Sequence, residues 1–200
     1  MHYTNKLFWE HCRRIYPTYF KDPSKVVEFG SLNINGSIRD HFSCADYIGL
    51  DWRQGPGVDL ICLAHKAPFA PESVDTVVSA SMLEHDPYWE KSLSKIAEVM
   101  RPNGFMGVTW GAALNNPHCV SSAPDGKFHP LRAGLVLNYL EKIGIYVHEF
   151  QYEEIFLIRD KEEGRVGACA RGAVALIAFK DKSLAVGKRE ISPLIPKDMI

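Results

Sequence analysis

The chain has no paired cysteines: Cys12, Cys44, Cys62, Cys119 and Cys169 are odd in number, far apart and nowhere in a C-x-x-C arrangement. That pattern argues against a disulfide framework or a zinc ribbon and suits reduced, mostly buried thiols in a cytoplasmic protein. Long apolar runs are also missing. The longest late one, Ala173 to Phe179, is far below the ~20 residues needed to cross a bilayer, and the opening MHYTNKLFWEHCRR is too polar for a secretory signal. A soluble chain without membrane association is therefore expected. Charge of one sign is lacking too, because 23 Lys and Arg stand against 24 Asp and Glu. A net charge of -1 creates no field that would draw in a polyanion, so nucleic acid is not an expected partner.

What is present suffices for one folded unit, since 200 residues at 46% hydrophobic content can bury a sizeable core. The organising stretch runs from Val26 to Asp51. An apolar run, Val26 to Phe29, breaks at Gly30; a short helical pattern follows; a second apolar run from Tyr47 ends on Asp51, 21 residues after Gly30. Strand, glycine turn, helix, strand and acidic tip make a Rossmann-type unit whose carboxylate accepts from ribose hydroxyls. Neither phosphate-binding device accompanies it. Leu32 stands where a dinucleotide fingerprint needs its second glycine, and no Lys-Ser or Lys-Thr closes the turn. A ligand with ribose and adenine but no phosphates fits, with Glu28 free to meet a cationic amino group. S-adenosylmethionine has that shape and charge.

Glu28-x-Gly30, Gly36 and Asp51, followed by APFAPESVDTVVSASMLEHDPYWEKSLSKIAEVMRPNGFMGVTW, resemble the class I S-adenosylmethionine-dependent methyltransferases, the type 11 subgroup in particular. The resemblance spans roughly residues 24 to 150. It implies an α/β fold: a Rossmann-like, mostly parallel sheet flanked by helices, with an antiparallel closing strand pair. It implies cofactor contacts from Glu28, Gly30, Ser31 and Gly36 at the first turn, from Asp51 and Trp52 after the second strand, from the backbone of Ala64 and His65, and from Ser79 at the end of the fourth strand. Trp52 would offer a face to adenine or serve only as packing. Leu63 departs from the family, where an Asp often accepts from the adenine amino group.

Along the chain, Leu7, Phe8, Cys12, Ile15 and Tyr16 predict an amphipathic leading helix that Pro17 ends, either covering the cleft or packing on the sheet. Asp22-Pro23-Ser24 turns into the first strand. Only Trp52 to Gly57 separates the second strand from the run Val58 to Leu63, too short for the usual crossover helix, so a reduced connection is expected. Val74 to Ser79 reads as the central fourth strand. Asp86-Pro87 then reads as N-cap and first turn of a helix whose face is Trp89, Leu93, Ile96, Ala97 and Met100, ended by a turn at Arg101 to Gly104. The fifth strand spans Phe105 to Trp110.

Gly111 to Pro130 is a substrate-facing loop in which His118, Cys119 and His129 lack metal-ligand spacing, so no metal is expected. Leu131 to Ile143 forms the next helix. Ile145 to Ile158 and Ala173 to Phe179 form the closing pair, split by a charged hairpin tip, Arg159 to Arg171. The domain is thus one unit over 1–200, with a leading helix in 1–23, a core in 24–180 and a tail in 181–200.

The expected activity is methyl transfer to a small-molecule hydroxyl or amine, in a protein that could pair as a homodimer. His85 is the candidate base, its alternative being a helix-entry residue. The proline-aromatic motif of nucleic-acid amino methylases is absent. Two other classes compete: a partner subunit that binds cofactor weakly, favoured by Leu63, and a nicotinamide-dependent oxidoreductase, disfavoured by Leu32.

Overall fold

The computed structural model describes residues 3–23, 25–34, 36–43, 46–111, 123–152, 156–159, 166–169, 173–185 and 189–190. Helices α1 (Tyr3–Ile15) and α2 (Pro17–Lys21) precede the first strand. Pro17 therefore does more than end the leading helix: its fixed φ and missing N–H suit the first turn of a second, short one, which places Phe20 in the core. Strands β1 (Val26–Phe29), β2 (Tyr47–Asp51), β3 (Leu60–Ile61), β4 (Val74–Ala80), β5 (Met100–Gly111), β6 (Tyr146–Tyr152), β9 (Ala173–Phe179) and β10 (Arg189–Glu190) form one sheet; β7 (Phe156–Arg159) and β8 (Val166–Cys169) form a separate antiparallel ribbon.

The sheet order is β10-β6-β9-β5-β4-β1-β2-β3. The run from β5 to β3 is parallel throughout, and β9 inserts antiparallel between β5 and β6. This is the mostly parallel sheet with an antiparallel closing pair that the sequence implied. Because β1 and β4 are central, successive residues alternate between two buried faces. Val27, Val77 and Val108 join Leu93, Ile96 and Ala97 of α3 (Trp89–Val99) and Val136 and Leu140 of α4 (Ala133–Lys142). Val26, Val78 and Phe105 on the other face join Phe8, Trp9 and Cys12 of α1. Gly107 is required there: a Cβ would lie 2.8 Å from the Trp9 ring. A buried Glu149 on β6 fastens the same helix, meeting His11 Nε2 at 2.9 Å and accepting from the Tyr16 hydroxyl.

Several local expectations are corrected, and the reduced connection after Asp51 is found as expected. The helix between β1 and β2 shrinks to one 3-10 turn, Ile38–His41, capped by Ser37 Oγ accepting from Arg39 N. No helix lies between Asp51 and Leu60, and β3 is only two residues long, as the short linker demands. Asp86 is not the N-cap of α3, which is Tyr88; it sits two residues earlier, accepting from Tyr88 N at 2.8 Å and from the Ser92 hydroxyl at 2.5 Å. Arg101 to Gly104 is a bulge within β5 rather than a free turn, since Val74 pairs with Met100 and Thr76 already with Phe105. The expected strand Ile145 to Ile158 is divided, its end Phe156 to Ile158 pairing as part of β7 with β8 in the separate ribbon, and Arg189–Glu190 of the tail pairs with β6 as β10. Ser24, Cys44, His118, Cys119 and, of the expected hairpin tip Arg159 to Arg171, positions 160–165 and 170–171 lie outside the described residues.

Candidate active site

The carboxyl ends of β1, β2 and β4 converge on a cleft of about 220 Å³. Strand order makes it: β1 connects outward to β2 while β4 lies on its other side, so their loops part at that point. Glu28, Gly30, Ser31, Gly36, Asp51, Trp52, Ala64 and His85 all line it. Ser79 and His65 do not. Ser79 is fully buried within β4, and the His65 ring instead packs 4.7 Å from Tyr88.

Gly30 closes the first turn with φ +80°, a left-handed conformation that favours glycine. Its N–H and that of Ser31 both donate to Leu50 O at 2.9 Å, which ties the turn to the tip of β2. Ser31 Oγ is buried with no partner, wedged against Gly49. Asp51, 8% exposed, accepts from Leu32 N at 3.4 Å and Arg53 N at 3.2 Å. Burial pushes its pKa up, and those N–H groups oppose the shift. Glu28 is 5% exposed and accepts from the Tyr47 hydroxyl at 2.7 Å. Burial raises its pKa to about 7 despite that hydrogen bond. Two carboxyl groups thus face one cleft from neighbouring strand tips, and the charge of Asp51 adds to the upward push on Glu28.

The far wall comes from β4's exit and from α1. Ser81 has φ +54°, an uncommon conformation for a residue with a side chain, and lies just past the end of β4. Asn5 Nδ2 donates to Ser81 Oγ at 3.4 Å. The leading helix therefore does both things considered for it: Phe8 and Trp9 pack on the sheet, and Asn5 reaches the cleft. Asn5 was legible in principle as a lone amide on the apolar face of that helix. Ile34, Ile38, Cys62, Met82 and Pro124 also line the cleft, and nothing in their local sequence marks them. His85 lines it too, its ring 5.8 Å from Phe128.

Leu63 lines the cleft half-buried and is not packed into either core cluster. It is also the N-cap of a 3-10 turn, Ala64–Lys66, with no side-chain cap. Leu63→Asp is therefore expected to tighten adenosine binding by up to about 1 kcal/mol, through an acceptor for the exocyclic amine, with no large loss of stability. Paired calorimetry and thermal melts check this; weaker binding with a much lower Tm would place the adenine elsewhere.

Glu84, one residue before His85, was not anticipated. It is 3% exposed; Oε1 accepts from Gly111 N at 2.8 Å, its main-chain O accepts from His129 N at 2.6 Å, and Oε2 has no partner. It thereby holds both ends of the Gly111 to Pro130 loop, and burial raises its pKa to about 7. A raised carboxyl pKa stabilises the fold fully below the unfolded value near 4.5 and loses that contribution as pH rises through 7. Glu84→Gln should thus remove about 1 to 3 kcal/mol of the decline in stability between pH 5 and 8. Melting curves across that range check it, and an unchanged pH slope would show Glu84 already ionised.

Among the described residues no cluster of His, Cys, Asp and Glu could hold a metal ion, and no helix is long and apolar enough to cross a membrane.

Comparison with known proteins agrees with this geometry. The family model described as a methyltransferase domain matches residues 44–108. Among solved structures, the YcgJ protein of Bacillus subtilis superposes with a TM-score of 0.64 at 10% identity, over 90% of this chain and 99% of that one. An S-adenosylmethionine-dependent methyltransferase of Mesorhizobium loti gives 0.59 at 15% identity, over 86% and 96%. The 1,6-didemethyltoxoflavin-N1-methyltransferase of Burkholderia thailandensis, solved with its substrate and S-adenosylhomocysteine, gives 0.60 at 10% identity, over 90% and 79%. No curated protein sequence matches the chain. At such identities the structures show the fold, and the segment 44–108 is similar to a methyltransferase domain.

Proposed function

We propose that the protein methylates a hydroxyl or amine of a small molecule, with Glu28 meeting the cofactor's amino group and Asp51 its ribose hydroxyls. The observation that carries this reading is the pair of buried carboxyl groups on adjacent strand tips facing one cleft. The residues present fit the group. Asp51 has lone pairs left after its two backbone N–H partners, Ser31 Oγ awaits a partner, and Leu32, Leu63 and Met82 offer apolar contact to a base. A bound sulfonium supplies an already activated methyl, so the chain's own work is alignment and exclusion of water.

Asn5, Ser81 and His85 surround the place where an acceptor would lie. His85 can take a proton from a hydroxyl nucleophile as it attacks, while an amine acceptor needs no base in the first step. The partner-subunit reading gains nothing from a cleft in which both carboxyl groups are in place. Calorimetric titration with S-adenosylmethionine, S-adenosylhomocysteine and a nicotinamide dinucleotide in parallel tests the proposal. Saturable binding of the first two alone is expected, and binding of the dinucleotide alone would overturn it.

Glu28 adds a pH signature. With its carboxyl titrating near 7, pairing to an ammonium pulls its proton off, so affinity should rise as pH rises. S-adenosylhomocysteine should bind about tenfold more tightly at pH 7.5 than at pH 6, with proton release at the lower pH. Titrations in buffers of different ionisation enthalpy read that release directly. A flat profile would remove Glu28 from the amino group.

A further inference from the structure

A second concavity adjoins the cleft. It runs between the outer face of α1 and the Gly36 to His41 segment, is lined by Lys6, Arg13, Arg14 and Lys21 with Glu10 and Asp40, and shares Gly36 with the cofactor cleft. Four cations stand against two carboxylates there, in a chain whose net charge is -1. Among the described residues none of those four cations has an ion-pair partner, whereas Lys25, Arg39, Lys95, Arg101 and Lys180 each do.

The side chains also converge. Lys6, Glu10 and Arg13 recur at four- and three-residue spacing on one face of α1, and Asp40 and His41 line the same groove from the 3-10 turn. Lys6 follows Asn5, the residue that reaches Ser81 in the cleft, and Arg13 lies two turns further along the same helix, roughly 10 Å away.

We propose that this groove holds an anionic group, phosphate or carboxylate, carried by the methyl acceptor. The inference rests on the methyltransferase reading and narrows its acceptor class. Lys6 and Arg13 are the primary contacts, with Arg14 and Lys21 at the rim. The acceptor extends from the cleft past Gly36, its reactive hydroxyl or amine beside Ser81 and its charged end on the outer face of α1. Glu10 and Asp40 select against a long polyanion, because a continuous phosphate backbone would meet them as well as the cations. A compact oxyanion can take the Lys6 and Arg13 donors while meeting Glu10 and Asp40 over far less of its length than a polyanion would.

The test uses the full chain saturated with S-adenosylhomocysteine at constant ionic strength, titrated separately with inorganic pyrophosphate and with citrate, and followed by amide proton–nitrogen correlation spectra. Saturable shifts confined to Lys6, Glu10, Arg13, Gly36, Ser37 and His41 are expected with at least one probe, and the preferred probe tells phosphate from carboxylate. In the double variant Lys6→Glu, Arg13→Glu that affinity should fall at least about tenfold, while S-adenosylhomocysteine affinity stays within about twofold. The milder pair Lys6→Gln, Arg13→Gln gives the same readout with less risk to α1. Shifts scattered over the surface, or unchanged in either variant, overturn the proposal, as does a single-stranded oligonucleotide binding the same residues far more tightly than either probe. Loss of S-adenosylhomocysteine binding by the unmodified protein would instead overturn the methyltransferase reading itself.

Discussion

Asp51→Ala is expected to weaken S-adenosylmethionine and S-adenosylhomocysteine binding by about 1.5 to 3 kcal/mol, the scale of losing charge-assisted hydrogen bonds to ribose. The loss arises at the tip of β2, where the carboxyl is nearly buried yet lines the cleft. The fold should survive, because the strand's pairing with β1 and β3 uses backbone groups that the substitution leaves in place. Leu32 N and Arg53 N lose their acceptor, so a few degrees of Tm is the expected cost. Calorimetry on a variant with a native-like melt decides it. Unchanged affinity would show that the ribose lies elsewhere.

Gly30→Ala should be the most damaging substitution of the first turn. Its φ of +80° costs a side chain about 1 kcal/mol. The new Cβ would also lie 2.5 Å from Met82 Cβ, where β1 and β4 bring their loops together, and overpacking of that kind costs about 1 to 3 kcal/mol more. The sum, roughly 2 to 4 kcal/mol, should lower Tm by about 5 to 15 °C, and the displaced Met82 should weaken cofactor binding as well. Gly126→Ala provides the control. Gly126 has a comparable φ of +70° with nothing within 4 Å of an added Cβ, so only the backbone term applies. Equal losses at the two sites would show that contact with Met82 does not constrain the turn.

Much of the proposed cofactor half of the site is readable without coordinates because its determinants are local. A β-strand alternates its faces, a glycine permits the sharp turn, and a carboxylate at the next strand tip follows at a set distance. Glu28, Gly30 and Asp51 can therefore be placed from spacing, and the missing crossover after Asp51 from linker length. Ser79 shows the limit of that reasoning. One residue of register decides whether a strand-end side chain faces the cleft or the sheet, and Ser79 is fully buried within β4.

The amino-acid sequence by itself determined the class of fold and its strand–turn–strand organising unit, since these depend on periodicity and spacing within a few dozen residues, while the closing pair followed from the family resemblance and the adenosine-bearing ligand stands as a proposal. Only the tertiary structure decided what else surrounds the cleft. Asn5 meets Ser81 across 76 positions of chain, Glu84 holds Gly111 and His129, and the basic face of α1 lies against the Gly36 to His41 segment. Such pairings come from the packing of both sheet faces, and no local pattern records which distant residue will fill the space opposite.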